Sequence, residues 1–300
     1  MFLLLAFLGY LFLAIAYIFD KFILTKSVSH PIVYAFYSTV FLLSTVVLVP
    51  FGAGFLSGGD WVWAIVSGGT FGFAVLTIFF ALRHGEATHV NPFNGAVVTL
   101  ATYVLSTILF HEVLTSAQKG GVFLLALACL FLSWQKTSGK SYTFVTFFWA
   151  TVSGVSFALS HVSAKYMYSL YPFLTGFVWS RFFTGVFGLL LLFHPAVRHV
   201  FRKRTHEPKT EAKRHVLSLV VMGKTCATVS TVLIQYAIAL GSATIVNALA
   251  GLQFLFMFIF VYGLTQFRPR VFHEYFTKRE IKVELVAIVC IMLGSVCMLL

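Results

Sequence analysis

Arg181 and Lys224 are the residues on which chemistry would turn, because each stands inside a run that is otherwise apolar. Arg181 follows Trp179 and Ser180 within Phe173–Phe193 and lies ~13 Å from the nearer end of its segment, at about 1.5 Å of helix rise per residue. Lys224 lies about as deep from the other side. A charge at such depth in a membrane costs several kcal/mol unless a partner or a water-filled cavity offsets it. The chain supplies no acid between Glu112 and Glu207. Two readings stand side by side: the cations reach for headgroups and helix-terminal carbonyls, or they face a central cavity together. The second predicts an anionic or carboxylate-bearing ligand.

Other polar groups at comparable depth could complete such a lining. Tyr34, Tyr37 and Ser38 suit hydrogen bonds and stacking against an organic body, and Trp179 beside Arg181 is grouped with them as a substrate contact. Asn94, Gln235 and Gln253 read either as ligand contacts or as glue between helices. Asn91 and Asn247 open apolar runs, where asparagine is commonly a helix N-cap. A carboxylate beside a histidine can trade a proton near neutral pH, which makes Glu86 (with His84 and His89) and Glu112 (with His111) candidates for proton coupling, with His161 as a relay. Their place near helix ends equally suits solvated or capping roles.

Motifs for catalysis are absent. There is no Walker motif, HExxH, nucleophile elbow or glycosidase-like carboxylate pair, so neither ATP-driven transport nor an enzyme is expected, and no cofactor or metal. Cys129, Cys226, Cys290 and Cys297 lie in apolar runs without CxxC or Cys/His spacing and read as small core residues.

The elements that would position these groups follow from composition. With 59% hydrophobic and 10% charged residues and a mean hydropathy of +0.93, the chain cannot clothe a water-soluble globule of 33.4 kDa. It reads as a multi-pass protein of the cell membrane. Apolar spans are expected at roughly 2–20, 31–51, 61–82, 91–111, 120–135, 143–164, 172–194, 216–240, 244–266 and 283–300, close to the ~20 residues that cross a ~30 Å hydrocarbon core. The first run has no basic flank or small-residue cleavage site and reads as a retained helix.

Ala81–Gly95, ALRHGEATHVNPFNG, returns as Ala237–Gly251, AIALGSATIVNALAG, with 7 of 15 positions identical at an offset of 156 residues. A duplicated unit is the economical explanation. Each copy falls in a Gly/Asn-rich break between apolar runs, so Gly85, Asn91, Gly241 and Asn247 are expected at helix hinges or caps. The break 135–142 leaves five spans on either side, giving repeats at 1–138 and 139–300. Two copies of a five-span unit enter the membrane from opposite sides, which predicts an all-α fold of two inverted repeats with the substrate pathway between them.

Val90–Trp134 resembles the fourth and fifth helices of an EamA-type unit of the drug/metabolite transporter superfamily: Pro92 near the helix start, Glu112 at its end, then Gln118, Gly120 and Gly121 opening the next helix. Lys21 and Lys165, at the ends of the first and sixth spans, extend the resemblance over nearly the whole chain. The second copy departs from the pattern, with Ala248 in place of Pro92 and an amphipathic insert, Phe267–Lys282, in which Glu274 stands as a displaced counterpart of the glutamate. The resemblance implies a ten-helix secondary transporter of small organic metabolites working by alternating access. It also leaves room for a lipid-linked carrier flippase of the same superfamily.

All but four of the 21 Lys and Arg, the exceptions being Lys119, Lys165, Arg181 and Lys224, fall at one end of the alternating spans. The positive-inside rule makes that end cytoplasmic and both termini external, whereas proteins like those resembled usually have both termini inside. The net charge of +12 is explained by anionic lipid headgroups meeting these connections, so membrane lipids are expected partners and nucleic acid is not. A non-transporting membrane protein whose basic connections bind a partner would leave Arg181 and Lys224 replaceable by leucine; a transporter would not.

Overall fold

Helix is the only regular structure among the described residues of the computed structural model, which are 1–27, 30–84, 87–133, 144–203, 212–267 and 278–298. The elements are α1 (Phe2–Ser27), α2 (Pro31–Val40, continued as a 3-10 helix over Phe41–Phe51), α3 (Asp60–His84), α4 (Ala87–Phe110), α5 (Ser116–Ser133), α6 (Phe144–Leu170) and α7 (Phe173–Leu190). After them come α8 (Pro195–Lys203), α9 (Ala212–Leu240), α10 (Ala243–Ala248), α11 (Gly251–Phe267) and α12 (Lys278–Cys297). Eight helical stretches are long and apolar enough to cross a membrane: α1, α2 with its extension, α3, α4, α5, α6, α7 and the α10–α11 pair. The chain is therefore an all-α, multi-pass membrane protein. The helices α9 and α12 lie where the eighth and tenth spans are expected and pack among the others.

Local chemistry sets the helix ends. Pro31 follows an extended His30 and occupies the first turn of α2, where its missing N–H is no loss. Thr115 and Gln118 form a capping box at the start of α5: Gln118 N donates to Thr115 Oγ1 at 3.2 Å and Thr115 N to Gln118 Oε1 at 3.1 Å. Ser242 caps α10 by accepting from Ile245 N at 3.0 Å. Asn247 is therefore not a cap but an interior residue of α10, and Asn91 sits in the second turn of α4. The duplicated segment breaks at Gly241–Ser242 and again at Leu249–Ala250. Gly85, Glu86, the break 135–142 and Glu274 lie outside the described residues.

The extension of α2 is a long 3-10 run, 11 residues, ending at Gly52 with φ of 111°. Its hydroxyls follow the i−3 pattern of that helix, Ser44 donating to Phe41 O and Thr45 to Leu42 O, both at 2.7 Å.

Small residues let the helices approach closely, as expected where lipid gives no hydrophobic drive between them. Gly68 and Gly72 of α3 seat on α7, where a Cβ would run into Ser180 O, Phe183 and Thr184 or into the Phe187 ring. Gly185 and Gly188 of α7 fit against the backbone of Leu43 and Val40. Gly9 brings α1 onto Ile234 of α9, and Gly121 of α5 faces Gly294 of α12. Helices α3 and α6 are clasped by reciprocal bonds, Ser67 Oγ to Ser160 O at 3.1 Å and Ser160 Oγ to Ser67 O at 2.7 Å. The resulting pairs are α1 with α9, α3 with α6, α4 with α6, α11 with α1, α2 with α7, α4 with α10 and α5 with α12. A seam joins α3 to α7, and among the described residues no comparable seam joins α2 to α9.

Candidate functional site

One cavity of about 280 Å³ lies in the middle of the bundle and gathers most of the polar residues singled out in the sequence. Arg181, Lys224, Tyr34, Asn94, Gln235, Gln253, Asn91, Asn247 and His161 all line it. Its floor is formed by Tyr10, His161, Arg181, Gln235 and Asn247, and its mouth by Tyr34, Leu82, Asn91 and Lys224. From Gln235 to Lys224 the wall of α9 rises ~16 Å at about 1.5 Å per residue. The mouth faces the basic end of the bundle, where the His30 and His194 rings lie 6.2 Å apart and His89 Nδ1 lies 3.1 Å from Ser133 O.

Arg181 is only 2% exposed. Its Cζ sits 4.1 Å from the centroid of the Phe71 ring and 5.8 Å from that of Phe177. Among the described residues no carboxylate pairs with it, and Nε has no hydrogen-bond partner. His161 Nδ1 and Ser230 Oγ are likewise buried without partners. Lys224 holds its ammonium 5.3 Å from the centroid of the Tyr34 ring.

Other polar groups of the lining are fixed by the frame. Gln235 Oε1 accepts from Tyr168 at 2.8 Å, Asn94 Nδ2 donates to Ala150 O at 2.9 Å, and Asn247 Nδ2 donates to Thr102 Oγ1 at 3.1 Å. Tyr10 donates to Val246 O at 2.9 Å, tying α1 to α10.

Beyond the floor the amino end of the bundle is closed. Trp179 donates its indole N–H to Gly54 O at 2.7 Å and meets Trp61 edge-on at 4.8 Å. Tyr171 donates to Asp60 Oδ2 at 2.6 Å, and Lys165 Nζ donates to Gly241 O at 2.6 Å and Ala239 O at 3.1 Å. The Phe2 ring covers Gly241 so closely that a Cβ there would lie 2.5 Å from Cδ2. The backbone at Gly241 does not need glycine's left-handed freedom, since the only positive-φ glycine among the described residues is Gly52.

Three expected site residues stand elsewhere. Trp179 belongs to the closed amino end and not to the cavity, because two residues along a helix it points ~200° away from Arg181, at about 100° per residue. Tyr37 meets Phe36 edge-on at 5.2 Å and belongs to the cluster that α2 forms with Val197 of α8. Glu112 accepts from Thr244 Oγ1 at 2.6 Å and does not line the cavity. Conversely, the lining includes Tyr10, Tyr17, Phe71, Phe79, Phe157 and Ser230, which the sequence did not single out. The one usable signal was Tyr10 and Tyr17, seven residues apart and so on one face of α1.

The sequence matches no protein-family model and no curated protein. In structure it is similar to 28 solved chains. One of them, a crystal structure described only as that of a protein, superposes with a TM-score of 0.70 at 16% identity, covering 99% of this chain and 97% of that one. At that identity the likeness establishes the fold alone.

Proposed function

We propose that the protein is a secondary transporter of the cell membrane that moves a small organic solute by alternating access, built as two inverted five-helix repeats. The observation that carries the reading is one pronounced asymmetry within packing that is matched at most of its major helix pairs. Exchanging α1, α2, α3, α4 and α5 with α6, α7, α9, α10–α11 and α12 turns α1–α9 into α6–α3 and α4–α6 into α11–α1, and leaves α2–α7, α4–α10 and α5–α12 unchanged. The exchange is imperfect where α4 packs on α5 more fully than α11 on α12, and α2 on α3 more fully than α7 on α9. Its sharpest failure is that α3 is sealed onto α7 at the amino end, while among the described residues its counterpart, α9, stands apart from α2 at the mouth of the cavity. A bundle with two equivalent seams, one shut and one open, is half of a rocking cycle. By the charge distribution the open end is the cytoplasmic one. The resemblance to EamA-type transporters points the same way.

The test is a staple on the shut side. An ideal Cβ at Gly54 lies 3.8 Å from Thr175 Oγ1, so Gly54→Cys with Thr175→Cys, in a background free of Cys129, Cys226, Cys290 and Cys297, would form a disulfide between the α2–α3 connection and α7. Oxidation should stop solute uptake into proteoliposomes and reduction restore it. Undiminished uptake in the oxidised protein would refute alternating access at this seam.

A further inference from the structure

We infer that the cavity takes a monoanionic carboxylate carried on a flat apolar body, and that it rejects the corresponding amines and amino acids. The inference deepens the transporter reading and rests on it for the claim that the bound molecule is moved. Its first ground is charge balance. Arg181 is 2% exposed and lines the cavity, yet among the described residues no acid pairs with it and Nε donates to nothing. No Asp or Glu is among the lining residues, so a ligand ammonium would find no counter-charge while a ligand carboxylate would supply the one that Arg181 lacks. A guanidinium also offers a planar fork that matches a carboxylate with two parallel bonds.

The second ground is the shape and chemistry of the walls. Phe71 covers one face of the guanidinium at 4.1 Å and continues into Phe157, whose ring lies 5.2 Å away edge-on. Two turns further along α3 from Phe71, toward the mouth, Phe79 meets the Tyr34 ring at 4.6 Å. Such walls stack on a planar body and offer few donors to a strongly hydrated group. The volume of about 280 Å³ falls just under the range of organic ligand pockets, roughly 300–1,000 Å³, and so suits a small ligand. One permanent cation at the floor, with Lys224 ~16 Å up the wall at about 1.5 Å per residue, balances one negative charge there, which favours a carboxylate over a phosphate dianion. His161, whose Nδ1 is buried and unpartnered, and Ser230 are the groups left to meet the remaining carboxylate lone pairs.

Titration calorimetry on the purified full chain tests this with phenylacetate as the probe, against phenylacetamide, phenethylamine, phenylalanine and phenyl phosphate. Phenylacetate should bind, and each comparator at least about tenfold more weakly. Arg181→Gln should lower phenylacetate affinity roughly 10- to 100-fold, the worth of charge-assisted bonds to a guanidinium. Should Arg181→Gln not fold, Arg181→Lys, which keeps the charge and loses the fork, should still lower it about tenfold. No binding of phenylacetate, equal or tighter binding of any of the four comparators, or unchanged phenylacetate binding in both variants, overturns the inference. Two outcomes in proteoliposomes separate it from the transporter reading. Arg181-dependent binding of phenylacetate without passage across the bilayer defeats transport and leaves the ligand class standing; passage of the amine or the phosphate ester in its place defeats the ligand class and leaves transport standing.

Discussion

The Lys224 ammonium rests 5.3 Å from the centroid of the Tyr34 ring, bridging α9 and α2 where the two helices stand apart. By the 156-residue offset of the duplicated segment, the counterpart of Lys224 is Gly68, which has no side chain and lets α3 close on α7. A long cation stands on one seam where the other has only hydrogen.

Shortening that side chain should therefore let α2 and α9 approach. Lys224→Ala is expected to slow the reaction of Thr231→Cys, a cavity residue, with an impermeant thiol reagent from the basic end by several-fold. Lys224→Leu, which keeps most of the bulk, should slow it less. Faster labelling in Lys224→Ala would reverse the assignment.

The sealed side should be sensitive to added volume. Gly241→Val sets a branched side chain against the Phe2 ring, whereas Gly251→Ala meets nothing nearer than Ile291 Cγ1 at 3.3 Å. Overpacking of this kind costs about 1–3 kcal/mol. Thermal unfolding and uptake should both be impaired more by Gly241→Val, and a benign Gly241→Val would mean that Phe2 does not hold the amino end shut.

Removing Arg181 should not strand a partner. Because no acid pairs with it among the described residues, Arg181→Gln is expected to leave the melting temperature unchanged or raise it. A structural ion pair would instead lose about 3–5 kcal/mol on truncation, and a fall in stability of that size would refute the unpaired state.

Orientation can be read from α8. His199 is exposed at the basic end, so His199→Cys in intact cells should be shielded from an impermeant thiol reagent if the positive-inside reading holds. Ready labelling would invert the protein.

Much of the site was legible because a charge in an apolar run is conspicuous: Arg181 and Lys224 both proved to line the cavity, and so did the amides Asn94, Gln235 and Gln253. Depth can be read from sequence, but facing cannot. Trp179 is two residues from Arg181 and Tyr37 three from Tyr34, yet packing turns both away from the cavity. Asn91 and Asn247 were expected as caps because asparagine favours helix starts, but Ser242 starts α10 and leaves Asn247 free to reach Thr102 on α4. The aromatic walls were hidden by abundance, since Phe71 and Phe157 are two among 35 phenylalanines and nothing in their neighbours marks them.

The 3-10 winding of Phe41–Phe51 makes α2 longer than α winding of the same residues would. Eleven residues at about 2.0 Å each reach ~22 Å, where an α-helix of the same residues at about 1.5 Å reaches ~16 Å. Rewinding would draw the far end inward by about one helical turn without adding a residue, with the i−3 bonds exchanged for i−4 bonds. That end leads through Gly52 to Gly54, the carbonyl that holds Trp179, while the near end carries Tyr34 at the cavity mouth. The two ends of the bundle are thus joined by a tether whose reach is set by its winding.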